Sequence, residues 1–410
     1  MVKRILVAAS LTLALAACQD DGFNRSSRHL SPIPPTTLAL MAQKGMAKND
    51  PIVIRSYKKE AEMEIWKRGS DGKFALLKTY PICRWSGQLG PKKKEGDRQA
   101  PEGFYTITPA QMNPNSAYYL SFDTGFPNAY DRAHGRTGSA LMVHGSCSSR
   151  GCFAMTDQAI AEIYAIARES FAGGQRTFQF QSYPFRMTAE NLAKHRHDPN
   201  IAFWRNLKEG SDYFEVAKQE PRVAVAAGRY QFNLDDPTLV AAVMHKQQQD
   251  EQRVAELVDK GVQPIKLVYD DGGSHPSFRT ALASATGGDG AFTVDARARD
   301  RLGMVSRPDG LAAGPQEIIL AANGAPVEEA KPASALSYAA APAPQAEPRV
   351  AAVAPASAGV PGPAPQPVAA YASESPFYKR MIGGIGDLFS TSSITGRSAP
   401  PAGKAVANAQ

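Results

Sequence analysis

From Gly324 to Tyr371 the chain is dominated by Ala, Pro and Glu with few large apolar residues. Such a stretch cannot bury enough surface to offset the entropy of ordering it. Its alternating Ala-Pro dipeptides favour extended, polyproline-like backbone, a spacer rather than a domain. Order is expected to fade from about Ser274, so residues 274–410 read as a largely disordered tail. A packed core must therefore come from the earlier part of the 410 residues. Near the end, Phe377, Met381, Ile382, Ile385, Leu388 and Phe389 recur at helical spacing, a candidate docking segment for a partner or a membrane. Gly383, Gly384 and Gly386 weaken a helix there.

From Pro51 the pattern turns β-rich. Ile52–Tyr57, Glu62–Trp66 and Phe74–Tyr80 are short apolar or alternating runs, and Gly69-Ser70-Asp71-Gly72 is a turn signal between two of them, so a hairpin is predicted. Gly103–Ile107, Tyr118–Phe122 and Phe178–Phe180 read as further strands. Residues 51–182 thus read as a mainly β domain with one prominent helix. Residues 183–273 read as an α/β extension: Leu192, Phe203, Trp204, Leu207, Tyr213 and Phe214 anchor it, Gly228–Phe232 and Pro264–Tyr269 are strands, and Thr238–Lys260 is a helix. His195 and His197 lie in this extension without a Cys or His cluster to complete a metal sphere, and are expected to be solvent-exposed.

One stretch of the β-rich part carries chemistry. Ala140–Val143 reads as a strand, Thr156–Tyr164 as a capped helix start running to about Ser170, and between them stands His144-Gly145-Ser146-Cys147-Ser148-Ser149-Arg150-Gly151-Cys152. A free cysteine is only a few per cent thiolate at neutral pH, so an imidazole that accepts its proton makes it a working nucleophile. Cys152 is the candidate nucleophile and His144 its general base. Gly145 and Gly151 allow close approach of a substrate carbonyl to the main chain. The N–H groups of Arg150, Gly151 and Cys152 are candidate donors to a developing oxyanion. Ser149 supports the turn.

His-Gly followed by Ser-x-Gly-Cys resembles the signature of the L,D-transpeptidase catalytic domain family, the YkuD type. His144-Gly145-x-Cys147-x-Ser149-x-Gly151-Cys152-Phe153-Ala154-Met155-Thr156-Asp157 resembles its YafK-like branch. The resemblance extends through Tyr80–Cys83, Gly87-x-Leu89-Gly90-Pro91-Lys92, Pro101–Tyr105, Phe126-Pro127-Asn128, Gly135–Gly138 and Pro184–Met187, over roughly residues 51 to 220. It implies a β-sandwich catalytic domain and attack by Cys152 on the L-centre carbonyl of diaminopimelate in peptidoglycan stem peptides. The resulting thioester passes to an amine or to water, with no metal or organic cofactor. Two departures stand out. Many members carry a histidine where this chain has Arg150, and many carry an arginine shortly after the cysteine, where this chain has Phe153-Ala154-Met155. The branch includes an amidase that releases protein from peptidoglycan, which is the alternative to cross-linking. The Lys- and Gly-rich segment Pro91–Arg98 reads either as a solvated loop or as a flap whose lysines attract stem-peptide carboxylates.

At the other end, Lys3-Arg4 precede an apolar run from Ile5 to Ala17 that is too short for an ordinary membrane span. Leu15-Ala16-Ala17-Cys18 resembles the bacterial lipobox. Residues 1–17 therefore read as a lipoprotein signal peptide, Cys18 as the lipidated N-terminus, and residues 18–50 as a tether. Gln19 after the cysteine points to the outer membrane of a Gram-negative cell and a periplasmic enzyme. The net charge of +7, +5 without Lys3 and Arg4, is dispersed; it suits anionic wall polymer or lipid and gives no case for nucleic acid.

Of the four cysteines, lipid takes Cys18 and chemistry takes Cys152, which leaves Cys83 and Cys147. In an oxidising compartment they read as a disulfide, as two buried thiols, or with Cys147 as a resolving thiol for Cys152. A competing class is a non-catalytic lipoprotein that only binds the wall; an intact His144/Cys152 pair argues against it. A third reading makes His144, Cys147 and Cys152 metal ligands with His134, but the spacing is not a usual zinc pattern.

Overall fold

The computed structural model describes residues 27–233, 236–278 and 314–327, all within the unit Met1–Ala333. The leader, Cys18 and the segment Phe377–Phe389 lie outside the described residues.

Two five-stranded sheets frame the site. The first contains β1 (Ile52–Tyr57), β2 (Glu62–Arg68) and β3 (Phe74–Pro81). Gly72, at φ +75°, closes the β2–β3 turn in the left-handed region that glycine tolerates. The second sheet begins with β4 (Arg84–Trp85). The chain then returns to the first sheet for β5 (Gly103–Ile107) and forms β6 (Met112–Asn113) and β7 (Ser121–Asp123) of the second. A short helix α1 (Pro35–Gln43) precedes all of these, and α2 (Ala129–Ala133) follows β7. Next come β8 (Met142–His144), β9 (Phe153–Ala154), α3 (Asp157–Ala172) and β10 (Phe178–Tyr183). The sheet orders are β3-β2-β1-β10-β5 and β4-β9-β8-β7-β6.

Aromatic rings join the two sheets. Phe180 of β10 lies edge-on to Phe122 of β7 and Phe153 of β9, with ring centroids 6.3 and 5.7 Å apart. Thr156 caps α3 by accepting the Ala159 N–H at 3.2 Å, and the helix buries Ile160, Ile163, Ile166 and Ala167 at helical spacing.

Several sequence expectations shift. Tyr118 and Tyr119 do not join β7, because Tyr119 adopts φ +68° and turns the chain. The strand expected at Ala140–Val143 begins only at Met142, because Ala140 sits at φ +54°. Strands β4 and β9, two residues each, are too short to leave a periodic signal.

The extension consists of α4 (Ala189–Lys194), α5 (Ile201–Ala217), the β11 (Arg222–Ala226)–β12 (Arg229–Asn233) hairpin, α6 (Pro237–Asp259) and β13 (Ile265–Val268). Asp236 caps α6 by accepting the Thr238 N–H at 2.8 Å. Trp204 and Leu207 of α5 are fully buried, and Phe104 of β5 meets Phe232 of β12 at 4.9 Å, so the extension packs directly on the first sheet.

Two boundary readings and one exposure reading are corrected. Part of the expected tether is folded: Pro35 starts α1, where its missing N–H is harmless, and Ile33, Thr37, Met41 and Met46 are buried. Part of the expected tail is also ordered, since β14 (Gln316–Ile319) pairs antiparallel with β13. His195 is buried rather than exposed, stacked on Phe185 with centroids 4.8 Å apart. Burial there pushes its imidazole down to about 4. His197 is exposed as expected.

Candidate active site

Strands β8 and β9 run parallel with Val143 opposite Phe153 and His144 opposite Ala154. Val143 and Phe153 are fully buried. Cys152 stands immediately before β9, and its sulfur lies 3.4 Å from the backbone nitrogen of Met142, the first residue of the strand that ends in His144. The pairing thus sets the two sequence-predicted reactive residues on adjacent segments, His144 closing β8 and Cys152 leading into β9.

The His144 ring is 3% exposed and lies against Tyr118, with centroids 4.8 Å apart. Its Nδ1 is 2.5 Å from the Gly145 carbonyl. A carbonyl only accepts, so Nδ1 carries the hydrogen and Nε2 is left as the acceptor, the tautomer a general base needs. Burial pushes the imidazole below its ordinary value, against the opposing pull of the Gly145 carbonyl and the Asp157 charge.

The Cys152 sulfur accepts the Met142 N–H at 3.4 Å and points its own hydrogen toward the Ala140 carbonyl at 3.9 Å. No hydrogen bond joins it to the imidazole. Burial pushes the thiol up; the Met142 N–H and Lys92 oppose that shift, and Asp123 adds to it. The resting pair is therefore neutral thiol and neutral imidazole, and a turn of the cysteine side chain is needed to engage Nε2. Such tightening on substrate binding is usual.

Ser149 is the hub of the loop. Its hydroxyl donates to the Cys152 carbonyl at 2.8 Å and accepts from the Cys152 N–H at 3.0 Å and the Gly151 N–H at 3.4 Å. The Ser86 hydroxyl, just after β4, donates to it at 2.8 Å. Of the N–H groups expected to face an oxyanion, those of Gly151 and Cys152 turn to Ser149 instead. Arg150 is exposed, and its N–H makes no such bond. Gly151 adopts φ +124°, which only glycine does without strain. Gly145 is needed for a different reason: a Cβ there would stand 2.6 Å from Asp157 Oδ1 and 2.9 Å from Tyr119 Cβ. Asp157 Oδ1 also accepts the Ser146 N–H at 2.8 Å.

Cys83 and Cys147 form a disulfide with Cα atoms 5.5 Å apart, tying the start of β4 to the catalytic loop. This resolves the open pairing and removes Cys147 from any metal-ligand set. Cys152 is the free thiol among the described residues. No group of three or more His, Cys, Asp or Glu among the described residues is placed to hold a metal ion.

The segment Pro91–Arg98 is neither purely solvated nor a row of free hooks. Lys92 is buried, and its Nζ donates to Asp97 Oδ1 at 2.6 Å and to the Lys94 carbonyl at 3.0 Å. Asp97 also accepts the Lys93, Lys94 and Gln99 N–H groups, which lower its carboxyl. Lys93 and Lys94 remain exposed beside a cleft of about 280 Å³ lined by Gln88, Leu89, Asp97 and Asn200. The contributions of Tyr118, Asp123, Ser86 and Asp157 to the site left no sequence signal, because cross-strand register and loop packing create them.

A free thiol leading into one strand and an Nε2-accepting imidazole closing its parallel neighbour form a cysteine–histidine site of the kind that serves acyl transfer. The L,D-transpeptidase catalytic domain (YkuD) pattern matches residues 52–172. Over 195 residues the chain is 43% identical to the protein named "Putative L,D-transpeptidase YafK" of Escherichia coli strain K12, covering 48% of this chain and 79% of that one. The chain belongs to the L,D-transpeptidase family. The helical cell shape determining protein Pgp2 of Campylobacter jejuni superposes with a TM-score of 0.26 at 17% identity, over 58% of this chain and 81% of that one. Bd1075 of Bdellovibrio bacteriovorus gives 0.23 at 15% identity, over 53% and 74%. Superpositions that partial carry no inference about this chain.

Proposed function

We propose that the protein is a cysteine acyl-transfer enzyme that modifies peptidoglycan stem peptides at the L-centre carbonyl of diaminopimelate. The observation that carries this reading is that Cys152 leads into the strand paired beside His144, whose Nε2 is left as acceptor by the Gly145 carbonyl. Nε2 takes the thiol proton as the sulfur attacks the carbonyl carbon. The C–N bond then breaks, and the departing nitrogen takes that proton back from the imidazolium. A thioester remains on Cys152. An amine or a water next attacks it, gives up a proton to Nε2, and the sulfur leaves to be reprotonated. The test is intact-mass analysis after mixing the full chain with a diaminopimelate tetrapeptide. The parent should gain the acyl mass and Cys152→Ala should not; an adduct on the alanine variant would sink the reading.

Hydrolysis of the thioester by water is the favoured second step, a linked protein having already left as the amine in the first. Phe153, Ala154 and Met155 directly follow the nucleophile and are fully buried, so no cation stands there to grip the carboxylate of a second stem peptide by paired hydrogen bonds. Water then competes well for the thioester. Product partitioning with excess acceptor peptide checks this: predominant cross-linked dimer would return the enzyme to the cross-linkers. The same reading takes Cys18 as a lipid anchor to the outer membrane. No helix among the described residues is long and apolar enough to cross a membrane, and mass spectrometry of the mature N-terminus tests the anchor.

A further inference from the structure

The cover over His144 is braced by a segment that lies ahead of the β-rich domain. Residues Arg28–Leu30 form a single 3-10 turn before α1. Arg168 of α3 holds that turn, donating from Nη1 to the His29 carbonyl and to the Ser31 carbonyl at 3.0 Å. So held, Arg28 lays its guanidinium over the Tyr119 ring, with Cζ 4.6 Å from the centroid.

Tyr118 and Tyr119 make the bend that leads into β7. Tyr119 sits at φ +68°, a left-handed conformation that a bulky residue keeps only where its surroundings hold it. One support is Gly145, whose N–H donates to the Tyr118 carbonyl at 3.0 Å and the Leu120 carbonyl at 3.1 Å. The support on the ring itself is Arg28. The Tyr118 ring carried by this bend is 49% exposed, whereas the imidazole 4.8 Å from it is 3% exposed. The phenol thus screens the base from water. The burial that lowers the imidazole therefore depends on the bend staying closed. Asp157 is the charge that bears on the ring, and it pulls the other way.

We propose that Arg28 is a positioning residue: stacked on Tyr119, it holds the Tyr118 ring over His144, so that the arm before α1 completes the catalytic site. The proposal rests on the acyl-transfer reading above in taking His144 as the base. An arginine suits the place, because its flat cation lies well over a half-buried ring and keeps its charge at every working pH. Without that cation the bend is freer to open. Water then reaches the imidazole, and Nε2 is less firmly aimed at the sulfur.

The test follows the His144 ring by NMR titration of the full chain with histidines labelled at Cε1, beside thioester formation on a diaminopimelate tetrapeptide. Arg28→Gln and Tyr119→Leu should each move the His144 midpoint up toward the ordinary value of about 6.5. The double variant should move it no further than either alone. Each single variant should lower kcat of acylation by about two- to fivefold, the span of a cation–π contact, with KM within about twofold of the parent. Arg28→Lys, which keeps a cation, should restore most of both readings. A midpoint that stays at the parent value in Arg28→Gln would overturn the proposal, whether or not the rate falls. So would a midpoint that rises in Arg28→Gln but not in Tyr119→Leu, since the charge would then act through space rather than through the bend. A parent that forms no Cys152 adduct would overturn the acyl-transfer reading, while the titration still decides whether Arg28 holds the cover in place.

Discussion

At the scale of the residue, the neutral resting pair has a consequence for pH. The productive form needs an unprotonated imidazole and a thiol still holding its proton. Burial lowers His144 and raises Cys152, so that form persists both to more acid and to more alkaline pH than in a free pair. The acid limb of kcat/KM should therefore have its midpoint below the ordinary histidine value of about 6.5. A midpoint above that value would mean that burial does not hold the His144 imidazole below its ordinary range. His144→Ala should cut acylation by about 10²–10⁴-fold, and the rate left should climb with pH as the thiolate forms unaided. A profile unchanged in shape would assign the base to another group. Cys152 and His144 were legible in the sequence because they are rare side chains set close together among glycines and serines. Asp123 was not, since nothing in Leu-Ser-Phe-Asp tells which strand will lie beside it.

The element that makes the site work is the loop between β8 and β9, held at both ends by bonds that local sequence does not announce. Ser149 anchors the N–H and carbonyl of Cys152, and Ser86 anchors Ser149 from the residue after β4. Ser149→Ala leaves the Gly151 and Cys152 N–H groups without their acceptor. It should lower turnover by about tenfold or more while costing only about 1–3 kcal/mol of stability; urea unfolding beside thioester formation measures both. A variant with full turnover would show that the loop holds its shape without this hub. The disulfide is the second anchor. Its cysteines are 64 residues apart, and closing a loop of that length in the unfolded chain stabilises the fold by roughly 4 kcal/mol in the chain-entropy model. Replacing Cys83 and Cys147 by serine should lower the urea midpoint accordingly, and an unchanged midpoint would remove the bond from the stability account. The pairing was one of several open readings from the sequence, because counting cysteines narrows the choice without fixing geometry. The strand–loop–helix order was plain from the apolar run before His144 and the cap at Thr156. The strand's start at Met142 was not, because Ala140 sits in a left-handed conformation that composition does not reveal.

Across the whole molecule, parts distant in sequence set the site from outside. Lys58 and Glu102 form an ion pair with both side chains fully buried. Glu102 also accepts the Gly90 N–H at 2.7 Å and the Trp204 indole N–H at 2.8 Å, so one carboxylate joins the first sheet, the loop before the Lys92 segment and helix α5. Local patterning marked Trp204 only as an apolar anchor, since a buried polar partner far along the chain leaves no periodicity. The same holds for the segment after β13. Trp85 of β4 exchanges backbone hydrogen bonds with Gly273 at 2.9 and 3.0 Å, and Asp271 pairs with Arg84 at 3.0 Å and Arg98 at 2.5 Å. The extension thereby adds a strap to the edge of the catalytic sheet, next to the strand that pairs with β9. Gly272 makes the close approach possible: it sits at φ +89°, and a Cβ there would run into the Trp85 carbonyl. Gly272→Ala should therefore lift the strap from β4. The expected result is a loss of about 1–3 kcal/mol in unfolding free energy, from strain and lost edge bonds. Turnover should fall further than that loss of folded fraction explains, because Ser86 directly follows β4 and Cys83 directly precedes it. Urea unfolding and thioester formation on the same preparation separate the two effects. A variant that unfolds earlier yet acylates at the parent rate while folded would show that the strap stabilises the molecule without setting its catalytic loop.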